Sequence, residues 1–203
     1  MGYQPDGIAA VDGKLYVANS GGYRSPEYDN RLSVIDIASF TEVKKIELLT
    51  NMDRIAVSRD KKLYITSRGD FDKIPSNLVV FDPQTESILK NFNLPASNIC
   101  IAGDSCYAIY TDYNKINTYK IINTASQSIV SECFIADGTG SQIKIPYGIA
   151  VNPKNRQIFV CDATDFISSG KIYAFDRYGK NIWYLNSTTG QIPCCIAFLN
   201  KEK

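Results

Sequence analysis

Short stretches rich in Val, Ile, Tyr and Phe recur along the chain, and polar turn-forming residues separate them. Such stretches are typical of β-strands, and the first four form a set that we label A to D. They are Gly7–Ala10, Leu15–Ala18, Leu32–Asp36 and Val43–Leu48. No segment shows a sustained 3.6-residue apolar period, so the pattern predicts few helices.

The same set of four strands recurs three more times. The second set is Ile55–Val57, Leu63–Thr66, Leu78–Asp82 and Ile88–Phe92. The third, which is more divergent, is Ile99–Ile101, Cys106–Tyr110, Ile116–Tyr119 and Ile129–Cys133. The fourth is Gly148–Val151, Ile158–Val160, Ile172–Asp176 and Ile182–Leu185. A fifth strand A follows at Ile192–Phe198.

The repeat length identifies the predicted architecture. The aligned A strands begin at Gly7, Arg54, Asn98, Gly148 and Cys195, which gives a period of about 47 residues, typical of β-propeller blades. A β-sandwich or an open meander would not repeat one strand quartet in register. The sequence therefore predicts an all-β fold, a single partial propeller over residues 1–203. Its repeats are approximately 5–50, 51–95, 96–144 and 145–189, with a closing strand at 190–203.

The strand count predicts that further blades exist. Five A strands accompany only four sets of B, C and D, and a propeller closes by joining strands from both ends of the chain into one blade. A four-bladed ring would leave Ile192–Phe198 surplus. We therefore expect the chain to be the C-terminal part of a seven- or eight-bladed propeller of about 330 residues.

Charge and composition exclude several classes of partner. The net charge is +1, and the Lys and Arg residues are scattered, whereas a nucleic-acid groove needs clustered positive charge. No apolar run approaches the ~18 residues of a membrane helix, so no transmembrane segment is predicted. Met1-Gly2-Tyr3-Gln4 does not begin a signal peptide, so any targeting segment is expected upstream.

The chain contains no histidine. This removes Ser-His-Asp and Cys-His catalysis and His-ligated metals, and the sequence predicts no catalytic residue, cofactor or metal ligand set. The six cysteines are Cys100, Cys106, Cys133, Cys161, Cys194 and Cys195. We expect most of them to be small buried apolar residues, and they leave the compartment open.

Several strand pairs resemble a known repeat. The stretches that carry the resemblance are Leu15–Gly21 with Leu32–Asp36, Leu63–Gly69 with Leu78–Asp82, and Ile158–Asp162 with Ile172–Asp176. They resemble the YVTN family of propeller repeats and the related surface-layer and YncE-like proteins. The third repeat departs from the pattern at Tyr110-Thr111-Asp112.

The resemblance has implications for location and function. The long loops between strands B and C and the Ile196-Ala197-Phe198-Leu199 ending are similar to exported propeller lipoproteins of gut anaerobes. Some of these resemble nutrient-capturing propellers that sit over an outer-membrane transporter and bind cobalamin. The resemblance thus implies an extracytoplasmic protein, at the cell surface or in the periplasm. It implies a small-molecule or glycan ligand, or a protein partner such as that transporter.

Candidate ligand-binding residues lie in the B–C loops and at one strand start. In a propeller these loops gather at one mouth of the central channel, and each loop offers an aromatic and an acidic residue. Such pairs suit sugars, corrin-like amphiphiles or cationic groups. The candidates are Asn19, Tyr23, Tyr28, Asp29, Arg54, Arg68, Asp70, Phe71, Asp112, Tyr113, Asp162, Asp165 and Phe166.

Three alternatives remain open at this point. The Asp and Asn side chains can instead form turns, with the aromatics covering blade edges. Arg54 can bind an anion or pair with Asp53 or Asp70. A metal-dependent lactonase or hydrolase would need Asp29, Asp70, Asp112 and Asp162 to converge on one cation. We therefore predict a non-enzymatic binding propeller, with the hydrolase and a protein-interaction scaffold as alternatives.

Overall fold

The computed structural model describes residues 1–199, without the side chains of 186–189, and contains four antiparallel four-stranded sheets. The first sheet is β1 (Pro5–Val11), β2 (Lys14–Asn19), β3 (Arg31–Asp36) and β4 (Thr41–Glu47). The second is β5 (Met52–Val57), β6 (Leu63–Ser67), β7 (Asn77–Asp82) and β8 (Ser87–Asn91). The third is β9 (Asn98–Ala102), β10 (Ser105–Thr111), β11 (Asn117–Asn123) and β12 (Ser128–Ser131). The fourth is β13 (Pro146–Val151), β14 (Ile158–Asp162), β15 (Ser169–Phe175) and β16 (Asn181–Gln191).

Each sheet follows the chain order A-B-C-D, and all sixteen predicted strands of the four repeats are present. The predicted all-β fold of four four-stranded blades is therefore confirmed. Two short 3-10 segments, Gly22–Arg24 and Thr139–Gln142, are the helical elements of the described chain. None of the helices within residues 1–199 is long and apolar enough to cross a membrane.

The described chain divides into two compact units, and the first comprises Met1–Ile99. Its core is formed by β-branched, aliphatic and aromatic residues of the first two sheets, including Leu32, Leu63 and Phe81, all fully buried. Strand β1 packs beside β5. At Gly7 the approach is so close that a Cβ would lie 2.3 Å from the backbone oxygen of Asp53, which explains the glycine.

The second unit begins at Cys100, within β9. Its core is aromatic: Phe134 contacts Tyr107 and Tyr119 edge-on, with ring centroids 5.6 Å apart in both cases. Strand β10 packs beside β13. Strand β11 continues to Asn123, beyond the predicted end at Tyr119, because Ile121 and Ile122 pair with β10.

The residues after β16 form the predicted additional segment. Cys194 lies directly against Gly148 at the start of strand A of the fourth sheet, as Asp53 lies against Gly7 in the first unit. Phe198 contacts Phe159 at a centroid distance of 5.5 Å. The segment thus has the position of a further strand A, but no strand pairs with it within residues 1–199. Residues 200–203 of the predicted closing strand lie outside the described part.

The cysteine prediction is correct only in part. None of the six forms a disulfide, and Cys106 and Cys161 are buried, as expected. The prediction is wrong for Cys133, Cys194 and Cys195, which are exposed because they follow the outer strands β12 and β16 rather than lying in an inner strand. Burial raises the pKa of Cys161 to about 12.

Candidate binding groove

A groove of about 610 Å³ lies in the first unit, beside the loops that follow β2 and β6. These are the B–C loops of the first two blades. The side chains that define its chemistry are Gln4, Asp6, Tyr23, Asn51, Arg68 and Phe71. The groove combines two aromatic rings with amide, carboxylate and guanidinium groups, and its volume is in the range of small-ligand sites.

The first loop is fixed to the segment that precedes β1. Ser20 N and Ser20 Oγ donate to the Gln4 carbonyl oxygen at 3.0 and 3.1 Å. Tyr23 N donates to Gln4 Oε1 at 2.5 Å. Gly21 N donates to the Tyr3 carbonyl oxygen at 2.9 Å. These bonds hold Tyr23 beside the groove although its side chain is 96% exposed.

The second loop is held by Asn51 and Asp70. Asn51 Nδ2 donates to the Gly69 carbonyl oxygen at 3.1 Å, and Arg68 N donates to the Asn51 carbonyl oxygen at 2.9 Å. Asp70 Oδ1 accepts the backbone N–H groups of residues 72, 73 and 74 at 2.7–3.0 Å. This is an Asx-type turn, and its hydrogen bonds lower the pKa of Asp70. The loop therefore presents Phe71 on a fixed backbone.

A network of four charges adjoins the groove: Asp6 and Arg68 line it, and Asp53 and Arg54 contact them from outside the lining. Arg68 Nη2 lies 2.9 Å from Asp53 Oδ2 and 3.3 Å from Asp6 Oδ2. Arg54 lies 3.4 Å from Asp53 and 3.6 Å from Asp6. Arg54, predicted as a ligand-binding residue, does not line the groove and contacts Asp53, one of the alternatives considered for it, whereas Asp70 is engaged with its own loop. Two cations and two carboxylates offset each other, so the site has both donors and acceptors.

Asp53 is the most perturbed acid of this network. Burial raises its pKa to about 6, the neighbouring Asp6 carboxyl adds to the rise, and Arg68 and Arg54 oppose it. Its side chain is 4% exposed, against 27% for Asp6. Asp53 therefore supports Arg68 from beneath the groove, while Asp6 faces the groove itself.

Two aromatic residues, Tyr23 and Phe71, line the site. Phe71 is 59% exposed and contacts Tyr28 edge-on at a centroid distance of 6.0 Å, which links the two loops. Tyr23 provides the second exposed ring. Asn51 is buried, and its Oδ1 atom has no hydrogen-bond partner in the part of the chain that the structure describes.

Two predicted residues of the first unit have structural contacts instead. Asn19 is fully buried, and its Nδ2 donates to the Arg31 carbonyl oxygen and to Ser33 Oγ. Asp29 is buried and accepts from Arg31 Nε at 2.8 Å and from Tyr3 N at 2.8 Å. Burial alone would raise the pKa of Asp29, but these hydrogen bonds hold it below its usual value.

The predicted residues of the second unit lie in three loops. Asp112 accepts the N–H of Ile116, and the adjacent Tyr113 is 82% exposed. Asp162 is buried and accepts the N–H groups of Lys144, Ile145 and Thr164.

In the last loop, Asp165 accepts two backbone N–H groups and the Ser168 hydroxyl. Phe166 contacts Tyr147 at 5.7 Å. Turn formation, the alternative use of these acids, accounts for the hydrogen bonds observed.

Gln4, Asp6 and Asn51 line the groove but were not predicted from the sequence. A signal for Asp6 was present: Asp6-Gly7-Ile8 and Asp53-Arg54-Ile55 occupy the same place in their repeats. An acid at the start of two consecutive A strands indicates a shared position near the axis of the blades. Gln4 and Asn51 carried no comparable signal, because their role depends on which loop packs against them.

No group of three Cys, Asp or Glu residues within residues 1–199 is arranged to hold a metal ion. The acids considered for a metal site accept hydrogen bonds instead. Asp29 accepts from Arg31, and Asp70, Asp112 and Asp162 accept from backbone N–H groups.

Comparison with solved structures identifies the fold. The chain is similar to Kuenenia stuttgartiensis hydrazine synthase, with a TM-score of 0.67, 16% identity, and coverage of 89% of this chain and 48% of that one. It is similar to the Cps50 (Swd1) β-propeller domain of Myceliophteria thermophila, with a TM-score of 0.66, 10% identity, and coverage of 94% and 58%. A chain of a mitotic checkpoint complex matches with a TM-score of 0.63, 7% identity, and coverage of 93% and 51%.

These similarities confirm the β-propeller fold and no finer relationship. No protein-family model matches the chain, and no curated protein matches it. The resemblance to YVTN repeats therefore stays a prediction. The chain spans about half the length of the solved structures it matches.

Proposed function

We propose that this chain is a non-enzymatic binding propeller that takes a neutral glycan in the groove of its first unit. The observation that carries the proposal is the placement of Tyr23 and Phe71 beside Asn51, Asp6 and Arg68. Propellers host binding, scaffolding and catalysis alike, so the fold is consistent with ligand or partner binding in general. The choice among these rests on the groove.

The chemistry of the groove matches a hydroxylated ligand. Exposed aromatic rings offer flat apolar area to the C–H face of a sugar ring. The Arg68 guanidinium donates in a fork, and the Asp6 carboxylate accepts, so adjacent hydroxyl groups can be bound from both sides. Because the local charges are balanced, the site favours a neutral ligand over an anion or a cation.

A glycan microarray followed by titration calorimetry tests the proposal. We expect Phe71→Ala to weaken binding of the best neutral oligosaccharide about tenfold, because one ring of the site is lost. Phe40→Ala is the matched control: Phe40 is 78% exposed, also has positive φ, and does not line the groove. A glycan bound equally well by both variants would contradict the proposal.

Thermal-shift measurements with Ca²⁺ and with cobalamin distinguish glycan binding from the hydrolase and cobalamin-binding alternatives. A metal-dependent hydrolase would be stabilised by Ca²⁺ in a thermal-shift assay and would be unaffected by Phe71→Ala. Cobalamin, the ligand implied by the resemblance, is tested in the same assay. Glycan-specific stabilisation that Phe71→Ala removes supports the proposal, and stabilisation by Ca²⁺ or cobalamin alone overturns it.

We also propose an extracytoplasmic location and a protein partner, such as an outer-membrane transporter. The support is the sequence resemblance to exported propellers. The similarity to a chain from the mitotic checkpoint complex shows only that this fold occurs within protein assemblies. Protease accessibility of an epitope-tagged protein in intact cells tests the location. Protection from added protease until both membranes are opened would contradict it.

A further inference from the structure

We infer that the second unit holds a separate binding groove for a small amphiphile with a phosphate or carboxylate head group. This groove has a volume of about 940 Å³ and lies beside the 3-10 segment Thr139–Gln142. Its lining differs from that of the first groove because it combines an apolar floor with two lysines.

The floor is formed by Tyr119, Ile135 and Ile143, whose side chains are 4%, 6% and 2% exposed. All three belong to the core of the second unit. The Tyr119 hydroxyl is uncharged at neutral pH, and burial raises its pKa further. The floor therefore offers an apolar surface without a formal charge, which suits a hydrocarbon or aryl group.

The wall at the 3-10 segment is held by side chains of the blades. Tyr119 Oη donates to the Gly140 carbonyl oxygen at 3.2 Å, and Tyr173 Oη donates to the Gln142 carbonyl oxygen at 3.3 Å. Asn117 Nδ2 donates to the Ile143 carbonyl oxygen at 2.6 Å. Because three separate strand residues fix this wall, the groove is formed before any ligand binds.

The rim carries excess positive charge. Lys115 and Lys144 line the groove, and neither ammonium lies within 4 Å of a carboxylate in the residues that the structure describes. The remaining charged lining residue is Asp165, whose carboxylate already accepts three hydrogen bonds. Lys144 is positioned by its backbone N–H, which donates to the buried Asp162. Lys144 interacts electrostatically with the Asp165 carboxylate, so the two lysines leave the lining with one positive charge in excess, which is available to an anionic head group.

Titration calorimetry with octyl phosphate tests the inference. Inorganic phosphate measures the contribution of the charge alone, 1-octanol that of the tail alone, and octanoate replaces the phosphate by a carboxylate. We expect octyl phosphate and octanoate to bind more tightly than either fragment. The K115Q and K144Q variants should each weaken octyl phosphate binding about three- to fivefold, and the double variant about tenfold. Lys154→Gln, an exposed lysine outside the groove, is the matched control.

The location is tested by cysteine modification. Cys133 lines the groove and is exposed, whereas Cys195 is exposed and does not line it. Octyl phosphate should slow alkylation of Cys133 by iodoacetamide, measured by peptide mass spectrometry, and leave Cys195 unchanged. Equal protection of both cysteines, or undiminished octyl phosphate binding in the double lysine variant, would overturn the inference.

Discussion

Arg68 Nη2 lies 2.9 Å from Asp53 Oδ2, and this contact joins the loop after β6 to the start of β5. Asp53 is buried beneath the groove, while Arg68 is 36% exposed and lines it. A buried acid thus positions the guanidinium that we propose donates to the ligand. Stability and binding should therefore depend on the same pair of residues.

Removing the Arg68 guanidinium should leave the buried Asp53 carboxylate without the cation 2.9 Å from it. We expect Arg68→Gln to lower the free energy of unfolding by about 1–2 kcal/mol, less than the loss of a fully buried pair because Arg68 is partly solvated. Arg59→Gln, an exposed arginine with no ion pair in the described residues, should change it by less than about 0.5 kcal/mol. Urea unfolding measures both, and equal effects would contradict the role assigned to Arg68.

A double-mutant cycle tests the coupling of the pair directly. Once Asp53→Asn has removed the carboxylate, Arg68→Gln should cost less than it does in the wild type. Additive losses in the double variant would show that the two residues do not interact energetically.

The raised pKa of Asp53 should make the free energy of unfolding depend on pH. Its pKa is about 6 in the folded protein and near 3.8 when unfolded, so the folded state retains this proton over a wider pH range. The favourable contribution of the Asp53 proton to the free energy of unfolding is present at low pH and is lost as pH rises from about 4 to about 6. The wild type should lose about 1 kcal/mol or more relative to Asp53→Asn over this range, measured by urea unfolding. A pH-independent difference would contradict the raised pKa.

The conformation of the second loop depends on Gly69. Its φ is +70°, and a Cβ would lie 1.9 Å from the Ile74 carbonyl oxygen. Gly69→Ala should lower the free energy of unfolding by about 2 kcal/mol or more and weaken glycan binding by displacing Phe71. Gly13→Ala is the control, because φ is +77° but no atom lies within 4 Å, so only about 1 kcal/mol of backbone strain is expected. Thermal unfolding and calorimetry compare the two, and equal losses would contradict the proposed clash.

Two substitutions of Asp70 test whether this residue forms the turn or contacts the ligand. The Asp70→Asn variant keeps an oxygen that can accept the N–H groups of residues 72–74, whereas Asp70→Ala does not. We expect Asp70→Asn to bind glycan within about twofold of the wild type and Asp70→Ala to bind about fivefold more weakly. Equal losses in both variants, measured by calorimetry, would indicate that the Asp70 charge contacts the ligand.

The strands were predictable because each carries its own signal. Leu63–Thr66 and Leu78–Asp82 are compact apolar runs between turn residues, and the structure places β6 and β7 there. Strand β11 was predicted too short because Lys120 interrupts the apolar pattern before Ile121 and Ile122. Local patterns thus gave the existence of each element more accurately than its bounds.

The groove was only partly predictable because it is formed by contacts between repeats. The exposed aromatics Tyr23 and Phe71 were identified from loop composition alone. The sequence did not indicate that Asp6 and Asp53 share Arg68, since this depends on how β1 packs beside β5. Asn19 was selected as a loop residue, but the pairing of β2 with β3 buries its side chain against Ser33.

The binding of a neutral oligosaccharide in the groove of the first unit is tested most directly by NMR. The ¹⁵N-labelled protein is titrated with the best neutral oligosaccharide from the microarray, and amide and arginine Nε shifts are followed. We predict perturbations at Tyr23, Asn51, Arg68 and Phe71, with the amide of Phe40 unchanged. Shifts confined to other surfaces, or no shift at millimolar oligosaccharide, would contradict the assignment of this groove as the glycan site.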